Sequence, residues 1–116
     1  MSEVLYEVVE SYNEYIKKVP AGCQTISDNL RGNHITFALQ QIIDFTDGAK
    51  WLSEASDLFH KNSLSVDLRT DKINYFLQEI NNGLEIQDYV LVADIFEYEI
   101  QPFFLECLNV EVSGLQ

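Results

Sequence analysis

Hydrophobic residues near the N-terminus recur at alternating intervals of four and three residues. The row consists of Leu5, Val9, Tyr12, Ile16, Val19, Cys23, Ile26 and Leu30. This spacing is typical of helices that pack side by side at a shallow angle. Pro20 removes a backbone donor and crowds the Ile16 carbonyl, so a kink or short break is expected there. Because the row keeps its phase past Pro20, we expect one bent helix or two nearly collinear helices.

A second hydrophobic row predicts a long helix over about His34–Lys61. Its members are Ile35, Ala38, Ile42, Phe45, Ala49, Leu52, Ser56 and Phe59. The preceding residues Arg31, Gly32 and Asn33 are typical of a turn, with Asn33 as a candidate N-cap. So short a connection predicts that the second helix packs antiparallel to the first.

Two further helices are predicted in the rest of the chain. The third covers about Asp67–Asn82, after a polar loop at Asn62–Val66, and is expected to end in a left-handed C-cap at Gly83. The fourth spans about Glu85–Leu108, and Pro102 should bend it or begin a new turn.

The pattern as a whole predicts an all-α fold, an antiparallel four-helix bundle with a kinked first helix. The chain has 116 residues, a length that favours a single domain over residues 1–116. The segment Asn109–Gln116 is expected to fray at the end of the bundle.

The charge balance narrows the classes of partner. The chain carries 19 acidic and 7 basic side chains, which give a formal net charge of −12. Such a charge repels nucleic-acid phosphates and anionic membrane surfaces, so neither is an expected partner. The sequence has no uncharged apolar stretch long enough to span a bilayer, and its N-terminal MSEVLYEVVE does not resemble a signal peptide. We therefore expect a cytoplasmic protein.

The fourth helix combines strong hydrophobicity with acidic charge, since Lys72 is the last base in the sequence. A helical wheel places one carboxylate, Glu97, inside its apolar arc and Asp94 at the edge of that arc. The arc consists of Ile86, Val90, Ala93, Ile100, Phe104 and Leu108. A carboxylate in such an arc must be paired, hydrogen-bonded or neutral, because burying it alone is costly. Glu97 is therefore either a structural acceptor of bonds from a Tyr, Trp51 or a base, or a contact to a ligand or partner.

The same helix holds more aromatic side chains than one buried face requires. One interpretation is a core that packs against two neighbouring helices. The other is an exposed strip that binds a partner helix, a target with a basic surface, or a second copy of the chain. The candidate contact residues are Tyr89, Asp94, Phe96, Glu97, Tyr98 and Phe103.

Catalytic and metal chemistry find little support in the sequence. Carboxylate-bridged metal bundles use Glu-x-x-His pairs on facing helices. The pairs available here are Asp57/His60, Asp44/Asp47 and Asp94/Glu97. The chain has no GxSxG motif, its five glycines are scattered, and its two cysteines fit reduced thiols on apolar helix faces. We therefore expect no enzymatic activity, no cofactor and no metal site.

The segment from Gln87 to Pro102, QDYVLVADIFEYEIQP, resembles a motif of small acidic helical proteins from bacteria. In those proteins a DYVLLADLLEYE-like string precedes a proline near the end of the chain. The segment Gly48–Leu52, GAKWL, is similar to their middle helix. This family has no established activity. Its shape and charge are similar to those of flagellar export chaperones, and this similarity implies a link to motility.

Three hypotheses for function follow. The first is a non-enzymatic cytosolic adaptor or chaperone-like module that binds a protein partner through the fourth helix. The second is a bundle that binds a small molecule or metal, with Asp94 and Glu97 as the polar groups. The third is a structural homo-oligomer, in which the apolar strip pairs with its copy.

Overall fold

The computed structural model describes residues 2–110, and the regular elements of this part of the chain are all helical. The prediction of an all-α bundle is confirmed. Its helices are α1 (Glu3–Arg31), α2 (Ile35–Lys61), α3 (Thr70–Glu85) and α4 (residues 89–105). Helix α4 consists of three segments, which are α-helical at Tyr89–Asp94, π-helical at Ile95–Ile100 and α-helical again at Gln101–Leu105.

The helices alternate in direction along an elongated molecule of 49 × 21 × 21 Å. In the α1/α2 pair, the rings of Tyr12 and Phe59 lie 5.2 Å apart, whereas Asn29 donates a hydrogen bond to Gln41 further along α1. Helix α2 therefore runs antiparallel to α1, as the short turn predicts. The same reversal relates α1 to α4 and α3 to α4.

Helix α1 follows the sequence pattern closely, because all eight positions of its hydrophobic row are buried. Ser2 caps its start by accepting the Leu5 N–H at 3.1 Å. The helix runs unbroken through Pro20. Of the two expected forms, the N-terminal segment is thus one continuous helix rather than two. The Ile16 carbonyl lacks its usual helical donor there, because proline has no N–H.

Helix α2 also has nearly the predicted bounds, and its predicted row is buried except for the half-buried Ile35. The prediction of Asn33 as the N-cap is wrong. His34 occupies the cap position without a side-chain bond, while Asn33 adopts a left-handed φ of 63° in the turn. Asn tolerates this conformation better than most residues, so its backbone, not its side chain, serves the turn.

Helix α3 starts later than predicted, at Thr70 rather than Asp67. Residues 62–69 instead form a connection, with a turn at Asn62 and Ser63 followed by residues 64–69 without regular secondary structure. Its alternate residues Leu64, Val66 and Leu68 pack against the core. The segment that reads as a polar loop therefore covers part of the hydrophobic interior.

The end of α3 corrects the prediction of a left-handed C-cap at Gly83. Gly83 lies inside the helix, and the positive φ of 54° belongs to Gln87 in the following turn. Gly83 is buried where α4 crosses, and a Cβ there would lie only 2.7 Å from Val92 Cγ2. The glycine thus permits close helix approach rather than chain reversal.

Helix α4 buries the row Val92, Phe96, Ile100 and Phe104, at a strict spacing of four. In an α-helix this spacing drifts by about 40° at each step. The π segment, with its wider i→i+5 bonding, offsets the drift and keeps the row facing the core. The predicted arc is wrong for Ile86, Val90 and Leu108, which are exposed. Ile86 and Leu108 lie outside the helix, and Val90 lies on its opposite side.

Aromatic rings fill the interior between α2, α3 and α4. The ring of Phe45 lies 5.2 Å from that of Phe96 and 6.2 Å from that of Phe104, and Phe76 lies 5.3 Å from Phe103. All of these contacts are edge-to-face, a preferred geometry for aromatic pairs. Much of the aromatic content of α4 therefore serves packing against two neighbouring helices.

The chain after α4 continues along α1 instead of fraying at once. Val110 is buried, and both of its backbone polar groups bond to the side-chain amide of Asn13. The expected fraying from Asn109 is therefore wrong for Val110. The rest of that prediction, residues 111–116, lies outside the described residues.

Candidate functional site

The outward side of α4 carries three large apolar side chains that the bundle leaves uncovered. Val90 is 65% exposed, Tyr98 66% and Leu105 66%. The buried row of this helix has a spacing of four, so residues displaced by two from that row lie on the opposite side. Val90, Asp94 and Tyr98 meet this condition, and Leu105 adjoins them. We call these four residues the outer face of α4.

A polar cluster borders this face where α4 meets α1. Arg31 Nη2 donates to Asp94 Oδ1 at 2.8 Å and lies 3.8 Å from Glu97 Oε1. Glu97 Oε1 also accepts hydrogen bonds from Gln24 Nε2 and Ser27 Oγ, both at 3.3 Å. The cluster therefore ties the C-terminal half of α1 to the centre of α4.

Glu97 lies in this cluster as a charged, hydrogen-bonded side chain. The Tyr98 hydroxyl, followed by the donors of Gln24 and Ser27 and the charge of Arg31, lowers the pKa of its carboxyl. Its side chain is 24% exposed, so it is only partly withdrawn from water. Of the two interpretations offered by the sequence, this geometry supports a structural acceptor. The base of the cluster is Arg31, and Trp51 packs elsewhere, against Tyr15.

The remaining candidate residues divide into core and surface. Phe96 is fully buried against Phe45, so its selection as a contact residue is corrected: it supports α4 from inside. Phe103 is half-buried against Phe76, and Tyr89 is half-buried at the start of α4. Asp94 and Tyr98 remain on the accessible side.

Sequence reasoning missed the α1 half of the cluster. Gln24, Ser27 and Arg31 form a polar row spaced by three and four residues beside the hydrophobic row of α1. This spacing places them on one flank of the helix. The signal was therefore present, but it does not reveal that the facing helix brings Glu97 to the same place.

The outer face has an acidic surround. Asp94 and Glu97 carry two negative charges against the single positive charge of Arg31. Glu99 on α4 and Glu106, directly after its end, add two more exposed acids. No Lys or Arg occurs after Lys72. The accessible side of α4 therefore offers apolar contact area within a field of negative charge.

A family model described as a domain of unknown function, DUF8042, matches residues 7–110. The chain belongs to this family. The matched region includes α4 with its outer face and nearly all of α1. A search of curated proteins and a search of solved structures found no match to the DUF8042 chain.

Metal-binding side chains, cysteine thiols and helix hydrophobicity were compared across the described residues of the DUF8042 protein. No group of three or more His, Cys, Asp or Glu side chains within residues 2–110 is arranged to hold a metal ion. Burial raises the pKa of the Cys23 thiol to about 12 and, with nearby acids, that of Cys107 to about 12, which disfavours the reactive thiolate. None of the described helices is both long and apolar enough to cross a membrane.

Proposed function

We propose that this DUF8042 protein is a protein-binding adaptor or chaperone-like module that contacts its partner through the outer face of α4. One observation carries the proposal. Three large apolar side chains, each about two-thirds exposed, lie along one side of a helix whose other side is built into the core. Exposed apolar rows with a polar surround are typical of surfaces that bind helices or peptides.

The electrostatics of this face favour a particular class of partner. Apolar side chains of the partner would cover Val90, Tyr98 and Leu105, while its Lys or Arg side chains would meet Asp94, Glu99 and Glu106. An acidic or nucleic-acid partner would be repelled. The partner of this proposal is therefore a protein segment with one apolar side and a basic border. A flagellar export substrate is the specific form suggested by the similarity in shape and charge to the flagellar chaperones.

The test compares the proteins that co-purify with three forms of the chain from a lysate of the source organism. The wild type is compared with the double variant Tyr98→Ser/Leu105→Ser and with a matched control, Phe37→Ser/Ile43→Ser. The control pair is also exposed, at 62% and 54%, but lies on α2. Each purification is performed at low and at moderate salt, and mass spectrometry identifies the co-eluting proteins.

A stoichiometric partner that the α4 variant loses and the α2 control retains would support the proposal. Loss of that partner at moderate salt would show that the acidic surround contributes to binding. A partner retained equally by all three forms, or none at all, would contradict the assignment to α4.

Light scattering tests the third hypothesis on the same variants. If the outer face pairs with its copy, the wild type is a dimer and Tyr98→Ser/Leu105→Ser is a monomer. A monomeric wild type leaves the face open for a different protein. A dimer that survives the double variant would place the interface between copies elsewhere on the molecule.

A further inference from the structure

A cleft adjoins the outer face, between the N-terminal end of α3 and the C-terminal end of α4, and shares Glu99 and Glu106 with the acidic surround of that face. Its volume is about 470 Å³. Small-molecule sites are usually clefts of roughly 300–1,000 Å³, so this one has room for a small ligand. The side chains used below are Arg69, Lys72 and Phe76 from the α3 side and Glu99, Phe103 and Glu106 from the α4 side.

The two sides of the cleft differ in charge: the α3 side carries Arg69 and Lys72 together with Asp67, whereas the charged side chains of the α4 side are acids. Arg69 and Lys72 are two of the seven basic side chains in the chain. Glu99 and Glu106 line the other side. Within residues 2–110, Arg69 forms an exposed ion pair with Asp71 at 3.3 Å, whereas no ion pair links either base to Glu99 or Glu106. Both signs of charge are therefore available to a ligand.

The apolar part of the cleft is aromatic. The rings of Phe76 and Phe103 meet edge-to-face at 5.3 Å, with Phe76 buried and Phe103 half-buried. The Lys72 ammonium lies 5.2 Å from the centroid of the Tyr75 ring and 5.6 Å from that of the Phe76 ring. A positive group is thus held directly beside an apolar contact surface.

We propose that this cleft binds a small zwitterion, an α-amino acid with a large apolar side chain. Its carboxylate would pair with Arg69 and Lys72, its ammonium with Glu99 and Glu106, and its side chain would contact Phe103. A simple anion would meet the carboxylates of Asp67, Glu99 and Glu106, and a simple cation would meet the two bases. A ligand that carries both charges satisfies both sides of the cleft.

The test is a titration of the ¹⁵N-labelled full chain with L-phenylalanine, monitored by two-dimensional NMR. Two analogues serve as matched probes: phenethylamine, which lacks the carboxylate, and 3-phenylpropionic acid, which lacks the ammonium. We expect L-phenylalanine to shift the amide signals at the start of α3 and the end of α4. Each analogue should bind at least about tenfold more weakly, which corresponds to about 1.4 kcal/mol.

Variants on each side of the cleft test whether L-phenylalanine binds there. Lys72→Gln and Glu106→Gln alter exposed side chains and should each weaken L-phenylalanine binding, while the α2 control variants Lys50→Gln and Glu54→Gln should leave it unchanged. Absence of shifts at millimolar L-phenylalanine, shifts elsewhere, or equal binding of the analogues would overturn the proposal. Tyr98 and Leu105 do not line the cleft, so Tyr98→Ser/Leu105→Ser should not affect this titration, and the apolar contacts of the protein-binding face are tested separately from the cleft.

Discussion

The C-terminal segment is held to α1 by one side chain, and this contact yields a quantitative prediction. Asn13 Nδ2 donates to the Val110 carbonyl at 3.1 Å, and the Val110 N–H donates to Asn13 Oδ1 at 2.7 Å. Nearby, the Leu108 N–H donates to Asp67 Oδ2 at 3.2 Å. The amide of Asn13 thus satisfies both backbone groups of a residue whose side chain is only 3% exposed.

The variant Asn13→Ala removes both bonds and leaves the Val110 backbone groups without partners. Each hydrogen bond contributes about 1 kcal/mol, so the local free energy of opening at Val110 should fall by about 2 kcal/mol. Since 1.4 kcal/mol is a factor of ten, this is roughly a 30-fold faster amide exchange. Release of the segment restores about 1–2 kcal/mol of backbone entropy per residue. We therefore expect a smaller change, about 1 kcal/mol, in the free energy of global unfolding.

Native-state hydrogen exchange measured by NMR resolves the Val110 and Leu108 amides individually. The matched control is Asn29→Ala. Asn29 is also on α1, and its side chain donates a hydrogen bond to Gln41 of α2 at 2.8 Å, which the variant removes. The control should leave exchange at Val110 unchanged. The reasoning is refuted if Asn13→Ala exchanges at the wild-type rate at Val110, or if the control accelerates Val110 to the same extent.

Three further predictions concern stability and are measured by thermal or denaturant unfolding. Gly48→Ala should destabilise the folded protein by about 1–2 kcal/mol, because the added Cβ would displace the Tyr15 ring. Gly22→Ala meets open space and should stabilise the protein by about 0.5–1 kcal/mol. Changes of the same sign in both variants would refute this reasoning. Because the folded pKa of Glu97 is lowered, its stabilisation is present above its ordinary value of 4.5 and is lost as pH falls through the folded value. Glu97→Gln should therefore flatten the acid side of the melting-temperature profile, and an unchanged profile would contradict the pKa shift. Tyr12→Phe removes a buried hydroxyl that has no hydrogen-bond partner in the described residues, so its stability should equal or exceed that of the wild type by up to about 1 kcal/mol, and a large loss would reveal a partner.

The candidate site was predictable only in outline. Glu97 and Asp94 were identified from their positions on the helical wheel, within and beside the apolar arc, and Tyr98 from the excess of aromatic side chains. Their roles differ in the structure: Glu97 is held by α1, whereas Asp94 and Tyr98 lie on the outer face of α4. Phe96 and Tyr98 are both aromatic, yet Phe96 is buried and Tyr98 is 66% exposed. The aromatic excess alone does not distinguish these two residues, because the distinction depends on which side of α4 faces the other helices.

The sequence by itself determined the long helices α1 and α2, their hydrophobic rows, their antiparallel pairing and the acidic character of the chain. These features depend on periodicity and on a short turn, which are local properties. Only the tertiary structure decided the π segment of α4, the inward side of residues 62–69, and the partners of Arg31 and Asn13. Each of these depends on side chains distant in sequence. Which distant groups meet is set by the combined fit of all four helices, which no single segment encodes.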